Sequence, residues 1–506
     1  MMKKPNIVYV FPDQYRIHAM GFWRKPEYRD ALRGVSDPVH TPNLDKFADE
    51  SIVLTQAVST CPLCSPYRGM LFSGRYPEQN GVKHNCNNMR TDSLREDITC
   101  LTDVLADEGY NVGYIGKWHL DMPVPNCDAK GNYMVENGTH FPDGSKLGDV
   151  DLTDSANLYH CCWKAVTPES RRHRIDYWHN YGVNDWRQTT QYRDTDNKRY
   201  TVNKWAAAAD GDLAVSYIHN DQGQRNEDNP FFLCVGINPP HNPYTEKEHT
   251  DMEMFDKYYS EERVPDIWHL LNRPNVPENA EAINFVRYYF SSVTGIDRQF
   301  GRIIEALESK GELENTIVVF SSDHGEMMGG HNLGAKNLPH EESYLIPFIL
   351  RYPRAVSHRL EDLKMAGPDV MPTLLGLAGL KESIPMDLDG TDYSEIFIKG
   401  EEAKIEKPKS SLYIYDYPEC QRKGVRTDRY TFVIERDEQG NMNKSYIFDN
   451  EADPYQMNNL DFEDLSHETL EFLKKELGYW LQKAGDQWYQ DRVFEDFINY
   501  ESVEIS

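Results

Sequence analysis

Short apolar runs that end in polar residues, with amphipathic stretches between them, constrain this chain more than any other feature. Asn6–Phe11 runs into Pro12-Asp13-Gln14, and Asn111–Ile115 into Gly116-Lys117-Trp118-His119. Phe231–Ile237 runs into Asn238-Pro239-Pro240-His241, and Thr316–Phe320 into Ser321-Ser322-Asp323-His324. Runs this short, rich in β-branched and aromatic residues, read as buried strands. Thr41–Glu50, Cys100–Asp107, Val202–Ile218 and Ala282–Leu307 read as helices, the first with an early proline and the second stopped by Gly109. Strand and helix alternating over this length predict an α/β fold, a large and mostly parallel sheet flanked by helices.

In open sheets of this kind ligands bind beyond the carboxyl ends of the strands. Asp13, Gln14, Lys117, His119, His241, Asp323 and His324 all fall there. One polar residue after a strand is ordinarily a turn or a cap. Four such sets in one chain predict a convergent site. Asp13, Gln14 and Asp323 offer oxygen, which favours a hard divalent cation, Ca²⁺ or Mg²⁺, over zinc, and His324 adds a nitrogen less typical of calcium.

Composition shifts after about residue 380. Strand candidates Ser411–Tyr415, Tyr430–Glu435 and Ser445–Phe448 precede an amphipathic helix at Glu468–Leu481. The expected organisation is an α/β domain over 1–395 and a smaller α+β subdomain over 396–506, a short antiparallel sheet plus a helix. Residues 120–230 are rich in Trp, Tyr, Asn, Asp and Arg with weak periodicity, which predicts loops over the site.

Charge and cysteine usage exclude several classes. The net charge of −28 disfavours broad binding to nucleic acid or to an anionic membrane. No apolar run reaches the length of a membrane helix. Asn6–Phe11 follows two lysines but is shorter than the core of a signal peptide and ends at Pro12-Asp13. The expected location is the cytoplasm, or an exported compartment if a leader has been removed. Nine irregularly spaced cysteines are no disulfide framework. Cys61-x-x-Cys64 has no second pair to complete a zinc site.

The segment Cys64-Ser65-Pro66-Tyr67-Arg68, continuing to Ser73-Gly74-Arg75, carries the most specific signal. Here the chain resembles the type I sulfatases of the alkaline-phosphatase superfamily, whose signature is C-x-P-x-R followed by T/S-G-R. The resemblance runs in order along nearly the whole chain: PNIVYVFPDQ, TPNLDKFADE, GYIGKWHL, PPHNPY, SSDHGE, Lys336, EESYLIPFILRYP and PDVMPTLLGLAG. Near the end, VRTDRYTFVI and YIFDNEADPYQMNNL are similar to that family's C-terminal subdomain.

The resemblance implies an alkaline-phosphatase-like fold and a sulfuric ester hydrolase acting on a carbohydrate sulfate. Cys64 would be converted to formylglycine by a formylglycine-generating or anaerobic sulfatase-maturating enzyme, and its hydrate would attack sulfur. Asp13, Gln14, Asp323 and His324, with residue 64, would hold the metal. Arg68 would fix the diol. Lys117, His241 and Lys336 would surround the sulfuryl group, with His241 or Lys336 as acid for the leaving oxygen. His119 would take the proton that triggers collapse. Most sulfatases carry Asp-Asp where this chain has Asp13-Gln14. Asp-Gln also occurs in choline sulfatases and in phosphonate monoester hydrolases, so the alternatives are a phosphonate monoester or phosphodiester hydrolase and a choline-sulfatase-like small-molecule sulfatase. A binding module would follow if Cys64 were never matured.

Candidate substrate contacts are His340, Arg174, Trp178 and Trp186, the last three within a basic and aromatic run from Arg171 to Arg187. Arg suits a carboxylate or sulfate and an aromatic face suits a sugar ring. His331 near Lys336, and Arg422, Lys423 and Arg426 in the subdomain, are further rim candidates.

Overall fold

A computed structural model describes residues 3–86, 92–121, 167–183, 185, 188–264 and 273–500. The larger sheet takes β1 (Asn6–Val10), β2 (Ile52–Leu54), β3 (Asn111–Gly116), β4 (Tyr177–Asn180), β5 (Thr190–Arg193), β6 (Arg199–Val202), β7 (Phe231–Gly236), β8 (Thr316–Ser321), β9 (Phe348–Arg351) and β10 (Arg359–Glu361). Their order across the sheet is β10-β2-β9-β8-β1-β7-β3-β4-β5-β6. The central strands β8, β1, β7, β3 and β4 are parallel to their neighbours within that block. Antiparallel pairs join β9 to β8 and β2 on one side, and β5 to β4 and β6 on the other. The sheet is therefore mixed and mostly parallel at its centre, where every residue of β1, β7 and β8 is buried. Strands covered on both faces have no need of polar alternation.

The long helix Val286–Ser309 buries Tyr289, Phe290, Val293, Ile296, Phe300, Ile303 and Leu307 on one side. That 3.6-residue stripe packs with the helices Ala206–His219 and Pro42–Ala48 in one layer. On the other face Leu101–Asp107, Cys64–Ser73 and Val370–Leu377 share a second apolar cluster with Ile7, Tyr9, Ile317 and Val319.

The subdomain is a four-stranded antiparallel sheet of β11 (Ser410–Tyr417), β12 (Cys420–Thr427), β13 (Tyr430–Arg436) and β14 (Met442–Asp449), in chain order. Leu473, Leu477, Trp480 and Leu481 of the helix His467–Lys483 pack on Leu412, Ile414, Val425, Phe432 and Ile447. Ser466 caps this helix by accepting from the Thr469 amide at 3.1 Å. β12, CQRKGVRT, was hidden in the sequence because its Lys423 and Arg426 are charged yet buried on acidic partners, which breaks the apolar pattern of a strand.

Part of the 120–230 stretch departs from the loop expectation. Residues 177–202 supply β4, β5 and β6 and extend the sheet edge, with polar residues on the uncovered face. Residues 122–166 lie outside the described residues. No helix among the described residues is long and apolar enough to cross a membrane.

Candidate active site

The site stands at the carboxyl ends of β1, β3, β7 and β8. Asp13 is fixed by its amide, which donates to the Ile237 carbonyl at 2.8 Å just past β7. Gly116 ends β3 at φ 98°, and a Cβ there would lie 2.3 Å from the Gly236 carbonyl. Only glycine permits that approach, which brings the Lys117 amide to the same carbonyl at 2.8 Å. Lys117 and His119 are thus turned inward beside Asp13.

Cys64 is the first residue of the helix Cys64–Ser73 and is buried. Pro66 suits the first turn, where no intrahelical donor is lost. The Ser73-Gly74-Arg75 extension is a helix stop. Gly74 adopts φ 65° with its amide on Met70, and Arg75 Nη1 donates to the Ser73 carbonyl at 3.0 Å. Residue 64 therefore sits at the positive end of a rigid, well-terminated helix.

Around its sulfur the donors converge. His324 Nε2 lies at 3.4 Å, Lys336 Nζ at 3.5 Å and Asp13 Oδ1 at 3.6 Å. His119 stands close enough to the thiol to help hold it down. Burial pushes the Cys64 thiol up, but the charges of Lys117, Lys336 and His324 outweigh it and hold it well below the usual thiol range. Asp13 Oδ2 accepts from Lys117 Nζ at 2.7 Å and Arg68 Nη2 at 3.1 Å. Arg68 spans to Asp323 Oδ2 at 3.3 Å, donates Nη1 to the Lys117 carbonyl, and lies 4.6 Å from the Phe11 ring centroid.

His241 is held as one tautomer. Its Nδ1 donates to the Asn242 carbonyl at 2.6 Å, so Nε2 is the acceptor that meets Lys336 Nζ at 2.7 Å. Burial, then the charge of Lys336, pulls the His241 pKa down to about 4, and burial pulls His119 to about 4. Both rings are neutral at pH 7.

Gln14, at φ 65°, is held from both ends. Its amide Nε2 donates to Glu326 Oε2, and its Oε1 accepts from Lys336 Nζ at 2.8 Å. A lysine only donates and a carboxylate only accepts, so the amide has one permitted orientation. Glu326 is itself buried and receives the Met328 and Ala335 amides on Oε1 at 2.9 and 2.7 Å. The sequence reading missed Glu326, although it stands two residues after His324 in SSDHGE.

The donor set fits a divalent cation. One ligand atom each from Asp13, Cys64, Asp323 and His324 lies within 4.8 Å of the others, all buried. His324 Nδ1 is tied to the Gly325 carbonyl at 3.0 Å, which leaves Nε2 facing the cluster. Asp13 and Asp323 share one guanidinium. Burial and the neighbouring Asp13 charge push the Asp323 carboxyl up, whereas at Asp13 the upward push of burial is outweighed by the charges of Lys117 and Arg68, which hold it far down. Two carboxylates and a ring nitrogen converging on one point are donor chemistry that a hard divalent cation accepts.

The sulfatase family matches residues 5–380, nearly the whole α/β domain and the site with it. The chain belongs to the sulfatase family. It is a sulfuric ester hydrolase, of a family that generally uses a formylglycine and a divalent metal. A second family, N-sulphoglucosamine sulphohydrolase C-terminal, matches 329–483. The chain is 41% identical to an endo-4-O-sulfatase of Bacteroides thetaiotaomicron, over 98% of this chain and 95% of that protein. It is 31% identical to an ulvan-active sulfatase of Formosa agariphila, over 98% of this chain and 85% of that protein. A solved structure described under the metabolism of multiple glycosaminoglycans by Bacteroides thetaiotaomicron superposes with a TM-score of 0.88 at 41% identity, covering 98% of this chain and 100% of its own.

Asp13, Gln14, Cys64, Arg68, Lys117, His119, His241, Asp323, His324 and Lys336 thus stand together in this sulfatase. Four other candidates do not join them. Trp178 is buried in the core against Tyr114 at 5.5 Å and Trp118 at 5.3 Å. Arg174 pairs with Asp107 where β3 begins, at the opposite edge of the sheet from the site. His340 packs on His331 and Phe448 at the junction with the subdomain. Trp186 lies outside the described residues. Of the subdomain cations, Lys423 is buried on Asp486 at 2.7 Å and Arg426 on Glu341, so neither is free to rim a pocket.

Proposed function

We propose that this sulfatase removes a 4-O-linked sulfate from a sugar within a saccharide chain, with residue 64 matured to formylglycine as nucleophile and Ca²⁺ as the bound metal. The carrying observation is the ring of cationic and neutral donors around residue 64 at a helix N-terminus. The position of the sulfate and the saccharide class rest on the similarity to the endo-4-O-sulfatase. Cys64 Sγ stands where the nucleophilic oxygen of the matured residue would be. Formylglycine, as its hydrate, supplies one oxygen that attacks sulfur and a second that lets the ester collapse by C–O cleavage, which frees sulfate and restores the aldehyde. The divalent cation supplies Lewis-acid polarisation of a sulfate oxygen and of the nucleophile. Asp13, Asp323, His324 and the Gln14 carbonyl would hold it.

The remaining side chains bind and move protons. Arg68 balances the two carboxylates that flank residue 64. Lys117 and Lys336 face the sulfuryl oxygens, where charge grows in the transition state. Lys336, donating to neutral His241, offers the proton that the leaving sugar oxygen takes up, and His241 passes on its replacement. His119, neutral and beside residue 64, would receive the proton that residue 64 gives up.

Two measurements test this reading. Peptide mass spectrometry over residues 61–75 should find residue 64 about 18 Da lighter than cysteine after co-expression with a formylglycine-generating or anaerobic sulfatase-maturating enzyme. Sulfate release from position-defined saccharides should favour 4-O esters. A preference for matched phosphonate esters, or full activity in Cys64→Ala, would sink it.

A further inference from the structure

We propose that Asp210, acting through Tyr181, is a positioning residue that fixes the turn from Asn238 to His241 and so holds His241 beside Lys336. The proposal rests on the reading above, in which Lys336 and His241 deliver the leaving-group proton, and adds what keeps that pair aligned.

Asp210 belongs to the helix Ala206–His219 and is wholly buried. Among the described residues no cation faces it. The groups around it are the hydroxyls of Tyr114, Tyr181, Tyr192 and Tyr200 and the carboxyl of Asp185. Its two oxygens have separate partners. Oδ1 lies 2.7 Å from Tyr192 Oη on β5, and Oδ2 lies 3.2 Å from Tyr181 Oη, just past β4. Burial pushes the Asp210 carboxyl up to about 8, so it carries its proton at pH 7. A neutral acid donates to the Tyr181 oxygen, and Tyr181 keeps its own hydrogen for the Gly236 carbonyl at 3.4 Å. The chain of bonds is then complete with no buried charge to stabilise.

From Tyr181 the contacts run into the site. Tyr181 Oη accepts from the Asn238 amide at 2.8 Å. Pro239 and Pro240 follow and have no amide hydrogen to give. The other amide of the turn, that of His241, bonds within it, to the Asn238 carbonyl at 3.0 Å. The Tyr181 bond is therefore what ties the amides of this turn to the rest of the fold. At the far end of the turn, His241 Nε2 accepts from Lys336 Nζ at 2.7 Å. A turn freed at Asn238 can shift His241 off that lysine, and proton transfer is sensitive to such a shift.

The test compares kcat on a 4-O-sulfated saccharide, whose sugar oxygen needs a proton to leave, with kcat on 4-nitrophenyl sulfate, whose phenolate leaves without one. Tyr181→Phe removes one oxygen and leaves the ring packing in place. In it the saccharide-to-aryl ratio should fall about tenfold, and Asp210→Ala should do the same. Asp210→Asn gives Tyr192 an acceptor and Tyr181 a donor, as the neutral acid does, and should hold the ratio within about twofold. Equal losses on both substrates in Tyr181→Phe, or an Asp210→Asn ratio as low as that of Asp210→Ala, would overturn the positioning role. His241→Ala is the reference. A lowered ratio there, with Tyr181→Phe at the wild-type value, would overturn the positioning role and leave the proton-delivery reading intact. An unchanged ratio in His241→Ala itself would overturn the proton-delivery reading, and the positioning role with it.

Discussion

Replacing Glu326 by glutamine should damage metal binding without removing any ligand. Glu326 Oε1 receives two backbone amides and Oε2 receives the Gln14 amide. In Glu326→Gln the single carbonyl oxygen keeps more bonds by staying under Met328 and Ala335, which turns the new NH₂ toward Gln14. Two NH₂ groups cannot face each other, so the Gln14 amide must rotate. Its oxygen then leaves Lys336 and the metal position, and its NH₂ takes that place. The hydrogen bond lost to the Lys336 ammonium is charge-assisted and worth about 1.5–3 kcal/mol. The expected cost is about 10- to 100-fold in Ca²⁺ affinity, the range seen when an outer partner of a metal ligand is changed. Activity titrated against free Ca²⁺ after chelation reads this directly. Both backbone bonds survive, so the chelated protein should lose no more than the Gln14–Lys336 bond, a drop of a few degrees at most in its thermal midpoint. Glu326→Ala would instead leave three donors unpaired, at about 1–3 kcal/mol each. Adding Gln14→Glu to Glu326→Gln should restore affinity, because a carboxylate at position 14 accepts from the introduced NH₂ and still faces the metal with oxygen. Wild-type affinity in Glu326→Gln, or no rescue by the second change, would show that Gln14 is not an oriented ligand.

Three further outcomes follow from the same geometry. Chelation should abolish turnover and lower the thermal midpoint, with Ca²⁺ or Mg²⁺ restoring both better than Zn²⁺, since the donors are mainly oxygen. Raising ionic strength tenfold should change kcat/KM on a small sulfate ester by less than about fivefold, because buried charges are weakly screened, whereas Lys336→Ala should cost about 100-fold or more. His340, pushed down to about 3 first by burial and then by His331, stays neutral in the fold well below the pH at which it charges in the unfolded chain. Its contribution is complete above about pH 6.5 and is lost as pH falls toward 3. Between pH 6.5 and 4.5 chemical denaturation should show His340→Phe losing about 2–3 kcal/mol less than wild type.

The sequence exposed what depends on strand ends and little of what depends on packing across them. Asp13, Lys117, His241 and Asp323 were legible because a buried parallel strand reads as an apolar run and its first polar residue marks the site edge. Gln14 looked like a weakened ligand because the residue that orients it, Glu326, comes from the far end of the chain. Trp178 and Arg174 looked like a sugar platform because an Arg and Trp run reads alike in a pocket and in a core. The pairing of β4 with β3, which carries Trp178 under Tyr114, left no trace in local spacing.

The net charge of −28 and an anionic substrate are reconciled by where the positive groups lie. Arg68 and Lys117 are wholly buried, and Lys336 reaches Cys64 from the loop after β8. Each is matched by Asp13, Asp323 or Gln14 rather than by a surface acid. A cationic group exposed on such a chain would be neutralised by its own acidic surface or by salt. Buried beside two carboxylates, it keeps its charge and its place for the single negative charge of a sulfate monoester. The sheet supplies that burial by ending four covered strands at one point. The acidic exterior and the cationic interior are thus electrically separate, and affinity for sulfate is set by the few ångströms around residue 64.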